Sequence, residues 1–237
     1  MNEKENIVII FIKCPLMGTV KTRLSKTIGE KMAQELYKLF VLDIIESLER
    51  TNIPFVIYYT IDSCEETMIN WIGKDYRYHV QEGNDLGDRI KNSFIKSFSD
   101  GYENVILIGS DSPDLPTGFI KKSFEFLSLN DVVIGPAIDG GYYLVGFRTD
   151  TFVPYIFDGV KWSSGSEFRD TMNKLEEIRA VVQLLPEWYD IDRYEDLKML
   201  YEKNRKTDFS MSRTMKFLEE FFSKDRVQLL TEATCKQ

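Results

Sequence analysis

Histidine is almost absent: one residue, His79, stands in a chain of 237. Any Ser-His-Asp or Cys-His system therefore has a single candidate base. That residue lies in Tyr76-Arg77-Tyr78-His79-Val80, which alternates like a strand, and it reads as a strand histidine with a satisfied ring. Cysteine is nearly as scarce. Cys14, Cys64 and Cys235 are odd in number, far apart and without CxxC spacing. No disulfide framework or structural zinc site is expected, and the reading is a reduced, cytoplasmic protein. Long apolar runs are missing too. The first, from Ile7 to Ile12, is closed by Lys13, too short for a signal-peptide core or a membrane span. Positive charge is outnumbered, 30 Lys+Arg against 38 Asp+Glu, for a formal net charge of −8. Such a surface repels phosphate backbones at long range, so nucleic acid is not an expected partner. An anion must be held by a local nest of cations and backbone N–H groups.

What is present is an ordinary globular composition, 43% hydrophobic and 29% charged. Strand-like runs occur at Ile7–Lys13, Phe55–Ile61, Tyr76–Gln81, Asn104–Gly109, Asp131–Gly135, Tyr142–Phe147 and Ala180–Leu185. Helical patterns occur at Glu30–Arg50, Glu65–Trp71, Leu86–Phe98, Thr117–Leu127, Ser164–Leu175, Tyr194–Asn204 and Ser210–Phe222. In the first of these, Met32, Leu36, Phe40, Ile44 and Leu48 recur every fourth residue, with Ala33, Val41 and Ile45 beside them. The alternation predicts one α/β domain over residues 1–203, a mostly parallel sheet with helices on both faces. A helical extension covers 204–237, with a polar tail after Ser223 that is expected to fray. Ligands of open parallel sheets bind beyond the carboxyl ends of the strands, here just after Ile12, Gln81, Ile108, Ile134 and Leu185.

The unusual residues cluster there. The first strand runs into a loop with Pro15 and Gly18, with Lys13, Lys21 and Arg23 around it. This is a local anion cradle, Arg supplying bidentate geometry and Lys a point charge, or else a basic surface loop. It is not a P-loop, because Gly18 precedes Lys21 by three residues, and it does not match GxGxxG either. In Gly83-Asn84-Asp85-Leu86-Gly87-Asp88-Arg89, Asp85 suits an N-cap, while Arg89 reaches either a phosphate or a neighbouring carboxylate. The buried run Val105–Ile108 ends in Gly109-Ser110-Asp111-Ser112-Pro113-Asp114-Leu115-Pro116. Hard oxygen ligands at a strand end suit Mg²⁺, which takes one or two carboxylates plus substrate phosphates and waters. Capping of the next helix competes as the role of Asp111 and, more strongly, of Asp114. In Gly135-Pro136-Ala137-Ile138-Asp139-Gly140-Gly141-Tyr142-Tyr143, Asp139 fits a hairpin turn, and the glycines leave room for a substrate beside Tyr142. Asp192-x-x-Glu195 matches a capping box; Asp190 has no such role and is the candidate second metal ligand opposite Asp111. Trp162 and Trp188 either stack on a base or sugar or pack at the surface.

Taken together, these motifs resemble one family. Phe11-x-Lys13-x-Pro15-x-x-Gly18-x-Val20-Lys21-Thr22-Arg23-Leu24 looks like its N-terminal signature. Asp85-Leu86-Gly87-x-Arg89, the Gly109–Pro116 segment and Gly135-Pro136-Ala137-x-Asp139-Gly140-Gly141-Tyr142-Tyr143-Leu144 follow in the right order. The family is the GT-A-like transferase group associated with radical-SAM/selenodomain genes and labelled an arsenosugar-biosynthesis-type glycosyltransferase. It is similar to 2-phospholactate and molybdenum-cofactor guanylyltransferases. The likeness covers about residues 6–200. The chain lacks the latter's Leu-Ala-Gly-Gly loop and has Asp111-x-x-Asp114 in place of DxD.

The resemblance implies a nucleotide-diphospho-sugar-transferase fold (GT-A, Rossmann-like), with Mg²⁺ or Mn²⁺ at Asp111. It implies phosphate contacts from Lys13, Gly18, Lys21 and Arg23. Arg89 is a further candidate for the nucleotide. Asp190 falls on the metal side, and Asp114, Asp139, Gly140, Gly141 and Tyr142 on the acceptor side. The expected activity is transfer from a nucleotide-activated donor, glycosyl transfer to a small acceptor before nucleotidyl transfer. Lys21, Arg23 and Asp111 would carry the catalysis by neutralising phosphate charge. A non-catalytic nucleotide-binding protein is the remaining alternative. Acceptor, base and oligomeric state are not legible in the residues.

Overall fold

The computed structural model describes residues 5–60 and 65–234, with backbone alone from 224 onward. Cys64, Cys235, the expected strand end at Ile61 and the side chains of the tail after Ser223 lie outside the described residues. The chain divides into two compact units, one of residues 1–14 and 44–190, the other of residues 15–43 and 191–237.

The first unit holds the sheet. Its strands are β1 (Asn6–Ile12), β2 (Phe55–Tyr59), β3 (Tyr78–Val80), β4 (Asn104–Ile108), β5 (Val132–Pro136), β6 (Tyr142–Arg148) and β7 (Val182–Leu184). They form one seven-stranded sheet in the order β3-β2-β1-β4-β6-β5-β7. Only β6 runs antiparallel to its neighbours. The continuous apolar runs are explained by burial on both faces. On one face Ile7, Ile9, Val105, Leu107, Val145 and Phe147 form a core with Ile90 and Phe94 of the helix Leu86–Ser99 and Leu175 of the helix Glu167–Glu177. The alternate residues Val8, Ile10, Ile12, Ile106 and Ile108 point the other way, and each is no more than 1% exposed.

The second unit is helical: α1 (Thr22–Ile28), α2 (Glu30–Glu49) up to Asp43, α7 (Tyr194–Asn204) and α8 (Arg213–Thr234). The first unit has, in chain order, α3 (Glu65–Ile72), α4 (Leu86–Ser99), α5 (Thr117–Leu127) and α6 (Glu167–Glu177). The apolar stripe of α2 is real: Ala33, Leu36, Phe40, Val41, Ile44, Ile45 and Leu48 are all buried.

Three local expectations needed revision. Helix α1 is absent from the sequence reading; it is short, and it starts after Lys21, whose left-handed backbone (φ 48°) carries no helical signal. Helix α6 starts at Glu167 rather than Ser164, because Ser163 and Gly165 have φ of 61° and 79°, outside the helical region. The last helix starts at Arg213 rather than Ser210, after a 3₁₀ turn over Asp208–Met211. Its starting point is set by Asp43, whose carboxylate accepts the backbone N–H of Arg213 at 3.0 Å and of Thr214 at 2.8 Å. Those N–H groups have no partner within the helix, and a cap supplied from 170 residues away leaves no local sequence trace.

Candidate active site

Strands β1 and β4 lie side by side and parallel, with Ile10 opposite Ile108. From β1 the chain proceeds outward to β2 and β3, then returns to β4 on the other side of β1. This is the topological switch point, where ligands bind beyond the carboxyl ends of the strands. Lys13 leaves β1 there, and Gly109–Asp111 leave β4. Buried Gln81 ties the ends of β1 and β2 together, its Nε2 donating to the carbonyls of Ile12 at 3.1 Å and Tyr58 at 3.0 Å. Because β6 is antiparallel, its first residues, Tyr142 and Tyr143, return to the same rim, with Leu144 opposite Ile108. Strand β7 runs parallel to β5, and an isolated bridge pairs Ala137 with Trp188, so the chain reaches Asp190 at that end as well.

There a cavity of about 80 Å³ is lined by Gly109, Asp111, Ser112, Tyr142, Tyr143 and Asp190, with Ile44, Ile108 and Leu115 as its apolar wall. Thus Asp111, Asp190 and Tyr142, chosen from three separate motifs, meet in one pocket. Ser112 Oγ donates to Asp190 Oδ1 at 2.8 Å. Burial pushes the Tyr142 and Tyr143 phenols well above the ordinary phenol range, so both stay protonated at neutral pH. They can donate hydrogen bonds but cannot act as bases. Two carboxylates and a hydroxyl are hard oxygen donors. They fit a Mg²⁺ or Mn²⁺ that draws its remaining ligands from phosphates and water. Among the described residues no group of three or more His, Cys, Asp or Glu could hold a metal by itself.

The other candidates of this unit stand elsewhere. Asp114 is 9% exposed and does not line the cavity. Its Oδ1 accepts from Trp188 Nε1 at 3.3 Å, and its Oδ2 accepts from the Tyr189 hydroxyl. Of the two roles open to the Trp188 indole, packing holds: it is tied to a carboxylate and stacked on Tyr189. Asp139 is an exposed turn residue between β5 and β6, accepting from Gly141 N at 3.0 Å. Gly140 has φ of 94°, and a Cβ there would lie 2.1 Å from the Gly165 carbonyl oxygen. The space beside Gly140 is thus filled by backbone, not left for a substrate. Asp85 does cap α4, accepting from Asp88 N at 2.8 Å, and Arg89 Nε donates to Gly83 O at 3.3 Å rather than to Asp85 or Asp88. Trp162 packs edge-to-face on Tyr142 against the core.

In the second unit the loop cations have an anionic partner already. Arg23 Nη1 meets Asp192 Oδ2 at 2.9 Å, and Lys21 Nζ lies 3.6 Å from Asp192 Oδ1. The Lys21 side chain is only 2% exposed and sits over the Phe40 ring at 5.5 Å. Asp192 is not the cap of α7. Asp196 takes that role, accepting from the backbone N–H of Asp192 at 3.0 Å and Arg193 at 2.7 Å. The residues that sequence reasoning passed over are Ser112, Gln81 and Tyr189. Each is a common polar residue whose partner is distant in the chain, so no spacing rule singles it out.

The model of a family described as uncharacterized protein conserved in bacteria, DUF2064, matches residues 42–164. The chain belongs to DUF2064. A crystal structure from Desulfovibrio desulfuricans G20, provisionally described as a nucleotide-diphospho-sugar transferase, is 39% identical. It covers 94% of this DUF2064 chain and 96% of its own, with a TM-score of 0.90. A 4-diphosphocytidyl-2C-methyl-D-erythritol synthase from Anaerococcus prevotii DSM 20548 matches at 13% identity over 86% of this chain and all (100%) of that one, with a TM-score of 0.54. Rv0371c from Mycobacterium tuberculosis H37Rv, in complex with manganese, matches at 10% identity over 84% and 98%, with a TM-score of 0.52. The last two likenesses concern the fold alone. The search of curated proteins found no match. The DUF2064 chain has the nucleotide-diphospho-sugar-transferase fold, a mixed, mostly parallel sheet with helices. No helix among the described residues is long and apolar enough to cross a membrane.

Proposed function

We propose that this DUF2064 protein is a metal-dependent transferase that uses a nucleotide-activated donor and moves a glycosyl group to a small acceptor. The observation that carries the reading is the convergence of Asp111 and Asp190 on one cavity at the switch point of the sheet. The 39% identity with a protein provisionally described as a nucleotide-diphospho-sugar transferase supports the donor class. Association with radical-SAM/selenodomain genes and kinship to guanylyltransferases rest on the sequence motifs alone.

In this reading Asp111 and Asp190 hold Mg²⁺ or Mn²⁺. Bound there, the cation neutralises the negative charge that builds on the leaving nucleoside diphosphate. Ser112 keeps the Asp190 carboxylate in place through its hydroxyl. Lys13, Gly18, Lys21 and Arg23, by their place in the motifs, contact the donor phosphates, with Arg89 as a further phosphate contact. Tyr142 and Tyr143 remain protonated and form the wall of the cavity. Tyr142, with the turn residues Asp139 and Gly141 before it, stands on the acceptor side. Catalysis is positional and electrostatic. The second reading is nucleotidyl transfer, in which an acceptor phosphate attacks the α-phosphorus of a triphosphate and pyrophosphate leaves. The cation pair Lys21 and Arg23 favours it, since a triphosphate carries more charge to neutralise.

The test is thermal stabilisation against nucleoside triphosphates and nucleoside diphosphate sugars, with and without Mg²⁺. A ligand at about 100 times its dissociation constant adds roughly 2.7 kcal/mol. Stabilisation by a diphosphate sugar only with metal supports glycosyl transfer. A response confined to triphosphates favours the second reading. No response to any nucleotide overturns both. Binding without turnover, whatever the acceptor, points instead to a non-catalytic nucleotide-binding protein.

A further inference from the structure

The Asp111/Asp190 cavity draws on two loops, 109–116 and 186–190, and one of its carboxylates, Asp190, sits on the second of them. A segment without secondary structure must have its position imposed from outside. Three contacts impose it. Trp188 extends the sheet ladder, its N–H donating to Pro136 O at 3.1 Å and its carbonyl accepting from Ile138 N at 3.0 Å. The Tyr143 hydroxyl donates to Pro186 O at 2.9 Å. The third is a buried side-chain clamp, in which Asp114 takes the Trp188 indole N–H on one oxygen and the Tyr189 hydroxyl on the other. Asp114 stands two residues after Ser112, and Tyr189 immediately precedes Asp190. The clamp therefore joins the same two loops as the Ser112–Asp190 hydrogen bond, within two residues of it on each.

The geometry points to Asp114 as a positioning residue. With Tyr189 it locks loop 186–190 to loop 109–116, so that Asp190 stands in the same cavity as Asp111. This inference rests on the reading of that cavity as a metal–nucleotide site. It gives Asp114 a role other than contact with an acceptor. A charged acceptor satisfied by two donors is well suited to it. Burial excludes competing water, and a carboxylate accepts from two directions at once. Asparagine puts an NH₂ group where one of the two accepting oxygens stood, so that one of the two donors faces another donor.

The experiment compares Asp114→Asn, Tyr189→Phe and the double variant with wild type. Binding of Mn²⁺ is measured by the paramagnetic resonance of the free ion, in the presence of GTP and, separately, of UDP-glucose. Melting temperature is recorded for each. Thr51→Val serves as a structural control, since Thr51 is buried in the same unit, bonds Leu48 O and Ile53 N, and does not line the cavity. Outer partners of metal ligands are typically worth 10- to 100-fold in metal affinity. Each single variant is expected to weaken Mn²⁺–nucleotide binding by about that factor, and the double variant by no more than the worse single one. Thr51→Val should lower the melting temperature without moving the affinity. Tyr189→Phe loses only a hydroxyl and keeps the comparison open should Asp114→Asn fail to fold. Wild-type affinity in Tyr189→Phe, whatever its melting temperature, overturns the positioning role alone. A wild-type protein that binds no Mn²⁺ with either nucleotide overturns the proposed function, and this inference with it.

Discussion

The Ser112 hydroxyl and the Asp190 carboxylate, 78 positions apart, meet at 2.8 Å on the wall of one cavity. The bond joins the loop after β4 to the segment after β7. It brings a carboxylate from late in the chain beside Asp111, which no local pattern could do. Its energetic meaning follows from charge: hydrogen bonds to ionised groups contribute about 1.5–3 kcal/mol, roughly twice a neutral pair.

Asp111→Ala should abolish metal-dependent stabilisation by nucleotides, while Ser112→Ala should only weaken it. The first removes a charged oxygen ligand; the second frees an existing one. Calorimetric titration of each variant with Mg²⁺ and nucleotide reads the difference. Unchanged metal dependence in Asp111→Ala would sink the metal assignment.

Asp192 holds two cations with one carboxylate, at 2.9 Å from Arg23 and 3.6 Å from Lys21. An incoming phosphate must compete with it. Asp192→Asn should therefore strengthen nucleotide binding several-fold at low ionic strength, with the gain shrinking as salt rises toward physiological levels. Weaker binding at every salt concentration would instead make Asp192 an organiser of the two cations.

Asp43 is 4% exposed and accepts the backbone N–H of Arg213 and Thr214. Asp43→Ala leaves both donors at the start of α8 without it, a loss of about 2–3 kcal/mol. For a chain of this size the melting temperature should fall by about 4–12 °C. A melt within 1 °C of wild type, on the order of experimental error, would show the cap to be idle.

His79, the single histidine, has its pKa lowered from the usual 6.5, first by burial and then by Lys96, with Asp100 pulling the other way. The folded protein thus binds fewer protons than the unfolded chain between the folded pKa and 6.5. The stabilising contribution is present above pH 6.5 and is lost as pH falls through the folded pKa. One imidazole resonance should titrate with a midpoint below 6.5, and His79→Phe should flatten that part of the stability profile. A midpoint at or above 6.5 contradicts the sign.

Much of the fold was legible because its signals are local. The apolar run of β1, the fourfold stripe of α2 and the Gly140-Gly141 turn each depend on neighbours in the chain. Helices α5 and α7 begin and end where the residue pattern puts them. Two starts were not legible, α1 after left-handed Lys21 and α8 under Asp43. The first depends on backbone strain, the second on a partner 170 positions away. The same divide runs through the site. Asp111 and Asp190 were candidates from residue type and strand-end position, and the sheet order brings them to one cavity.

By itself the sequence determined an α/β fold, an acidic chain with a local basic loop, and a short list of carboxylates beyond strand ends. Composition, periodicity and turn chemistry are properties of adjacent residues, and they survive without a structure. Tertiary structure alone decided which carboxylates share a cavity, that Asp114 is clamped by Tyr189 and Trp188, and that Asp192 pairs with both Lys21 and Arg23. Those are pairings between distant segments, and a hydrogen bond or an ion pair depends on separation in space, which chain distance does not encode.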